Sequence, residues 1–208
     1  MTNYKLDMTT MFAFHDALRR DLDPIARMTA RSAGWDLFER FLHIHHLAED
    51  EALWPVMRQA VVGTKDVELL DDMEAEHAAL GPLLEAIDDA LDRGDSAPLA
   101  RSELAARLHE HLTHEEEAAL PVIDRTLDEE QWMQFGEASA AKLGPDMPTF
   151  LPWLLDGADD ERTKAILDHL PEPVRQAYRN EWQAAYSAKN WWATPGPRLR
   201  VTRTTSCS

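Results

Sequence analysis

Two segments of this chain, HHLAEDEALWP at residues 45–55 and HLTHEEEAALP at residues 111–121, align on their closing prolines. In that alignment His45 falls on His111 and Glu49 on Glu115, each pair reading His-x-x-x-Glu, with Pro55 and Pro121 six residues beyond the glutamates. A four-residue step on a helix places both side chains on one face, one turn apart. An imidazole and a carboxylate so placed can reach the same metal centre.

Both units lie on apolar stripes of helical period. Met11, His15, Leu18, Leu22 and Ile25 form the first stripe, and Phe38, Phe41, Leu42, His45, Glu49 and Leu53 the second. Leu70, Met73, His77, Leu80, Leu84, Ile87 and Leu91 form the third, and Leu104, Leu108, His111, Glu115, Ala118 and Val122 the fourth. Recurrence at three and four positions predicts amphipathic helices. Breaks fall at Arg31–Gly34, at Gly63 and at Gly94–Pro98. The expected fold is all-α: an antiparallel four-helix bundle over residues 8–125. A helical extension over 126–193 follows, with helices at 128–143, 159–170 and 174–188, a break at GPDMP (144–148) and an apolar FLPWLL patch (150–155) that needs a surface to cover it. Residues 194–208 lack apolar periodicity and are expected to be disordered.

One histidine on an apolar stripe is most often a hydrogen-bonded core residue. Four, on four consecutive helices, would each cost free energy if buried alone. Sharing a metal removes that cost. The candidate ligands are His15, His45, Glu49, His77, His111 and Glu115. One ion would be crowded by six side chains from four helices. Two ions, each with two imidazoles and both carboxylates as bridges, use all six and leave octahedral positions for a bridging oxygen and an exogenous ligand.

Several residues compete with this assignment. His46 and Asp50 also stand four apart, but the fourth helix has Leu112 and Glu116 there, so the pairing is lost and His46 is set aside. His43, His109 and His114 lie at the stripe edge, as solvated residues or as partners behind the ligands. His169 reads as a surface residue and Met73 as core. Asp50, Glu74, Glu76 and the tyrosines stay open as additional ligands.

The charge balance narrows the partners. The chain has 38 acidic against 21 basic residues, a net charge of −17. Its acid-free basic stretch, Arg198, Arg200 and Arg203, is near the C-terminus. With those three set aside, 18 bases face the same 38 acids. Nucleic acid and anionic membrane surfaces are therefore not expected as partners. The single cysteine, Cys207, permits no internal disulfide. No stretch has the length of a membrane span, and the opening residues lack the basic start and apolar run of a secretory signal. A cytoplasmic location is expected.

The pieces FHDALRRDL, HHLAEDEALWP, EHAALGPLLEAI and HLTHEEEAALP together resemble the hemerythrin-like (HHE cation-binding) family over residues 11–125. The extension is similar to C-terminal regions of some longer bacterial members. The resemblance implies a non-haem di-iron centre held by the six ligands above, with an oxo or hydroxo bridge. It also implies reaction with a small oxidant: hydrogen peroxide, nitric oxide or dioxygen. Two departures separate this chain from the oxygen carriers of that family. Carriers have a second histidine one turn before the third-helix ligand, where this chain has Met73. They also have an aspartate one residue beyond the position of Glu115.

These departures favour an enzyme, a peroxidase, catalase or nitric oxide peroxidase type of oxidoreductase, over a carrier. Trp54, Leu80 and Leu108 would then limit water and substrate size around the irons. The alternative is a protein that reversibly binds or senses dioxygen or buffers iron without turnover. The electron donor and the oligomeric state are left open by the sequence.

Overall fold

A computed structural model describes residues 4–193, and all of the regular structure in that range is helical. The expected tail at 194–208 lies outside the described residues. Four rods make the bundle. The first is α1 (Thr9–Arg27). The second is α2 (Ala33–Ala48), continued through a π-helical turn (Glu49–Leu53) into α3 (Trp54–Ala60). The third is α4 (Asp66–Asp92). The fourth is α5 (Pro98–His114), continued through a second π-helical turn (Glu115–Ala119) into α6 (Leu120–Thr126). The connections, at 28–32, 61–65 and 93–97, fall at the sequence breaks and are short enough to make successive rods antiparallel neighbours.

Local chemistry sets the rod ends. Ser32 caps α2 by accepting from the Trp35 backbone N–H at 3.3 Å. At the end of α1 the buried Arg101 donates Nη1–H to the carbonyls of Ile25 (2.7 Å) and Met28 (2.5 Å), the former also accepting from Met28 N–H at 3.3 Å. Gly63 and Gly94 take left-handed backbone, with φ of 79° and 78°, at two of the turns.

The apolar interior falls into two clusters. One holds Leu18, Ile25, Trp35, Phe38, Phe41, Leu42, Leu80, Leu104 and Leu108. The other holds Met11, Leu53, Trp54, Met57, Leu70, Met73, Leu120 and Ile123. Along every rod the candidate ligand positions fall between these two sets, so a polar layer divides the core.

The extension contains α7 (Glu129–Leu143), a 3₁₀ turn (Gly144–Asp146), α8 (Met147–Leu155), α9 (Asp160–Asp168) and α10 (Glu172–Ala177), which runs through a π-helical turn (Tyr178–Trp182) into α11 (Gln183–Ser187). A reciprocal cap between Asp128 and Gln131 starts α7. The FLPWLL patch is the buried part of α8 and packs into the first cluster. Trp153 donates its indole N–H to the buried Asp21 at 2.7 Å, and Arg20 holds the carbonyls of Trp153 and Asp156 at 2.8 Å. Burial outweighs these contacts and raises the Asp21 pKa. The chain end returns to the start of α2, where Gly34 N–H meets the Trp191 carbonyl at 2.6 Å. A Cβ on Gly34 would lie 2.6 Å from the Trp192 ring, so this approach requires glycine.

Candidate metal centre

The prolines that align the two units also shape them. Pro55 and Pro121 lack an N–H, and their rings clash with the carbonyl four residues back, so the ordinary ladder cannot run through them. In both rods the helix widens just before the proline. Trp54 N–H reaches back five residues to the Glu49 carbonyl, and Leu120 N–H does the same to Glu115. Each π turn thus begins on a candidate carboxylate ligand, a placement such turns often have at functional sites.

All six expected ligands converge in the polar layer between the two clusters. His15, Glu49 and Glu115 are fully buried, and His45, His77 and His111 nearly so. His15 Nε2 lies 3.1 Å from Glu115 Oε2 and 3.2 Å from His45 Nε2. Glu49 divides its two oxygens: Oε1 is 3.4 Å from His45 Nε2, and Oε2 is 3.4 Å from His77 Nε2. That geometry suits a carboxylate bridging two ions.

A seventh donor was not expected. His46, set aside in the sequence because Leu112 stands opposite it, is buried and stacked on His77, with ring centroids 3.9 Å apart and planes at 13°. Its ring also stands edge-on to His111 at 5.2 Å. Two donor groups result: His46, His77 and His111 in one, and His15, His45, Glu49 and Glu115 in the other, with the donor atoms within each group less than 4.8 Å apart. Pairing by symmetry hid His46. The direct signal was the His-His dipeptide, because neighbouring residues on an inward face straddle the stripe rather than leave it.

The outer ring nitrogens are held by carboxylates. His15 Nδ1 bonds Glu116 at 2.8 Å, His77 Nδ1 bonds Asp50 at 2.7 Å, and His111 Nδ1 bonds Glu76 at 2.8 Å. Glu76 also takes His114 at 2.8 Å, and Arg19 clamps Glu116 with contacts of 2.6 and 3.0 Å. Holding a proton on Nδ1 fixes the tautomer that aims the Nε2 lone pair inward, as metal-binding histidines require. Asp50 and Glu76 therefore stand behind the candidate donors His77 and His111. Glu74 is exposed and pairs with Arg58, while Met73 lies fully buried in the second apolar cluster. His43 and His109 are exposed, and the exposed His169 faces Asp7 at 3.6 Å.

The donor set passes a fit test for metal. Nε2 of His46, His77 and His111 and both oxygens of Glu49 and Glu115 are buried with no hydrogen-bond partner. Such groups are costly to orphan, and seven of the ten buried side-chain atoms without a partner among the described residues are metal-ligating atoms of this layer, the others being Arg20 Nη2, Trp54 Nε1 and Arg101 Nε. Burial and the crowding of these groups also perturb their charges, in both directions. Burial and the neighbouring imidazoles hold the pKa of His45 and His46 well below the ordinary histidine value. Burial also opposes a charge on His15, but the adjacent Glu115 and Glu116 prevail and raise it to about 9. Burial, with Glu115 and Asp50 nearby, pushes Glu49 well up. Glu115 is lowered despite its burial, chiefly by His15. Apolar groups close the layer: Phe14 stacks on His45 at 4.5 Å, Trp54 lies 6.4 Å from His77, and Leu80 and Leu108 are buried.

The family model of the hemerythrin HHE cation-binding domain matches residues 7–123, more than half of the chain. The chain belongs to the hemerythrin family. The hemerythrin match spans all seven donors and both π turns, and it stops before α7, so the extension lies outside it. Cation binding is thereby the property this hemerythrin domain shares with its family. No curated protein and no solved structure matches the chain. Among the described residues, no helix is long and apolar enough to cross a membrane.

Proposed function

We propose that this hemerythrin domain holds two iron ions between its rods and acts as an oxidoreductase on a small oxidant, hydrogen peroxide or nitric oxide. The carrying observation is the orphaned donor set: three imidazole nitrogens and four carboxylate oxygens, buried and unpartnered in one layer. Two ions, with the oxo or hydroxo bridge implied by the family resemblance, satisfy all of these atoms together. When bound, they supply Lewis acidity and one-electron redox steps.

The chain's own residues do the rest. Glu49, with one oxygen toward His45 and the other toward His77, would bridge the two histidine groups, and Glu115 would complete the donors beside His15. Glu116, Asp50 and Glu76 keep the Nδ1 protons of His15, His77 and His111, so that Nε2 stays free to bind. Phe14, Trp54, Leu80 and Leu108 exclude bulk water and admit only small molecules. The two electrons that reduce peroxide to water come from an external donor, which these residues do not identify.

Elemental analysis of protein purified without added metal tests this reading, followed by peroxide and nitric oxide consumption under a supplied reductant. Two irons per chain, lost in His77→Ala, with turnover of either oxidant, are expected. Two irons with dioxygen taken up and released unchanged would replace the enzyme by a carrier. No iron, even after anaerobic loading with iron(II), would overturn the proposal.

A further inference from the structure

We propose that the cavity between α1, the end of α8 and the turn after α11 binds the electron donor, a small neutral phenol or hydroquinone, and that Trp153 carries its electrons to the metal layer. This inference rests on the oxidoreductase reading above and supplies the donor which that reading leaves open.

The extension builds this cavity against α1, away from the donor layer. It holds about 500 Å³, a size ordinary for a small-molecule site. Tyr186, Trp191 and Trp192 bring rings to its lining, and Ser187 and Asn190 bring a hydroxyl and an amide. Arg20 and Lys189 are balanced there by Asp21 and Asp156. Burial raises the Tyr186 pKa, so its phenol adds no charge. A lining of two cations and two carboxylates suits a neutral planar ring whose hydroxyls can donate to carboxylates. One polar atom of this lining is unused: Arg20 Nη2 is buried with no hydrogen-bond partner. A phenolic oxygen in the cavity would satisfy it.

What stands behind the cavity decides its use. Asp21 borders it and is itself buried. Its Oδ2 accepts the Trp153 indole N–H at 2.7 Å, and its Oδ1 accepts Arg20 Nε–H at 2.9 Å. Both oxygens act as acceptors, as those of an ionised carboxylate do. The buried Trp153 meets Phe14 edge-on, at 5.4 Å between centroids, and Phe14 stacks on His45 at 4.5 Å. One ring thus separates an oxidisable indole from a candidate metal ligand, and one carboxylate separates it from the cavity. Anchoring α8 requires neither feature, since an apolar pair would pack there without the cost of a buried charge. An indole that loses an electron becomes strongly acidic at its N–H, and Asp21 is in place to take that proton. Trp153 gives one electron toward the layer while its N–H proton moves to Asp21. The donor in the cavity then returns an electron to the indole, and Asp21 returns the proton. Two such passes oxidise one hydroquinone to quinone, with its two protons released to water. One hydrogen peroxide takes those two electrons, with two protons from water, and becomes two water molecules.

The test has a metal-free arm and a loaded one. Hydroquinone is titrated into the metal-free full-length chain by calorimetry, with the indole N–H signals followed by NMR. Saturable one-to-one binding is expected, with the Trp153 and Trp191 signals shifted, and Trp191→Ala should weaken it at least tenfold. The iron-loaded chain is then mixed with hydrogen peroxide, without reductant, and frozen for electron paramagnetic resonance. An organic radical is expected, with a splitting that changes on ring-deuteration of tryptophan, and Trp153→Phe should abolish it. Asp21→Asn keeps the indole but removes its proton acceptor, and should slow the radical's appearance at least tenfold; it carries the test if Trp153→Phe does not fold. Added hydroquinone should quench the radical in the parent, and at least tenfold more slowly in Trp191→Ala. No hydroquinone binding, no tryptophan radical in the loaded parent, or hydroquinone oxidation at the parent rate in Trp153→Phe or Asp21→Asn would each overturn the relay and leave the two-iron reading standing. No iron bound by the parent would overturn both.

Discussion

The second and fourth rods carry the same device in the same order: a histidine, a glutamate one turn on, a π turn starting at that glutamate, and a proline just beyond the turn. Their surroundings nevertheless give the two glutamates opposite characters. Glu115 has the His15 ring 3.1 Å away and is held low, while Glu49 has Asp50 beside it and only two longer imidazole contacts and is pushed up. A repeated sequence unit fixes where donors stand along a rod. The neighbouring rod decides what each donor does.

The largest expected effect tests whether metal is what reconciles the two units. Without metal, Glu49 sits buried with no hydrogen bond to either oxygen, and Glu115 has only the ion pair to His15. Each ion held at about a thousand times its dissociation constant adds about 4 kcal/mol. At roughly 2–4 °C per kcal/mol for a chain of this size, loading should raise the melting temperature by about 10 °C or more. Calorimetry with and without a chelator measures it. Equal melting of the two forms would mean that the layer is satisfied without metal.

Next in size, the same substitution should act with opposite sign in the two rods of the metal-free protein. Glu115→Gln removes the partner of a charged, buried His15 and should cost about 3 kcal/mol. Glu49→Gln replaces a carboxyl already held toward its neutral form by a neutral isostere, and should be neutral or stabilising by about 1 kcal/mol. Urea unfolding of both variants decides it, and equal losses would erase the distinction.

The His15–Glu115 pair also gives the metal-free protein a pH signature. His15 has a pKa of about 9 in the fold against an ordinary value of 6.5. The folded state therefore holds a proton that the unfolded state has released between those values. The stabilisation is complete below pH 6.5 and is lost as pH rises through about 9, on the order of 3 kcal/mol. In the loaded protein His15 serves as a neutral ligand, and this slope should vanish. Melting temperatures of both forms from pH 6 to 9.5 measure the difference, with His15→Asn as the slope-free control.

The apolar stripes, the three breaks and the extension helices expected at 128–143, 159–170 and 174–188 were legible because each rests on local periodicity or on glycine and proline chemistry, whereas α8 was not, since GPDMP read as a break and FLPWLL as a patch where the structure has the helix Met147–Leu155. The six candidate donors from the stripes were legible from that same periodicity, and the structure gathers them in one layer. His46 was not, because its role depends on which rods flank α2, a tertiary fact. Matching the two units favoured the shared residues and discarded the unshared one. The π turns were within reach, since Pro55 and Pro121 were in view, but they were read as alignment marks rather than as breaks in a hydrogen-bond ladder. The carboxylates behind the ligands follow a rule visible only afterwards: Asp50, Glu76 and Glu116 each adjoin a ligand in sequence yet serve a histidine on another rod.

That crossing yields the smallest and most selective test. Asp50 follows Glu49 but orients His77, whereas Glu116 follows Glu115 but orients His15. Asp50→Asn should therefore weaken metal binding at the group of His46, His77 and His111 and Glu116→Gln at the group of His15 and His45, each by about tenfold, or about 1.4 kcal/mol. Glu116 is clamped by Arg19, so its loss also frees a half-buried guanidinium, and Glu116→Gln should be the more damaging to the metal-free fold. Stepwise zinc titration separates the two effects. If each variant moves only its own step, the rods act across the bundle, each steering a ligand of its neighbour. If both variants move both steps equally, the carboxylates act through the net charge of the layer, and orientation is not what they supply.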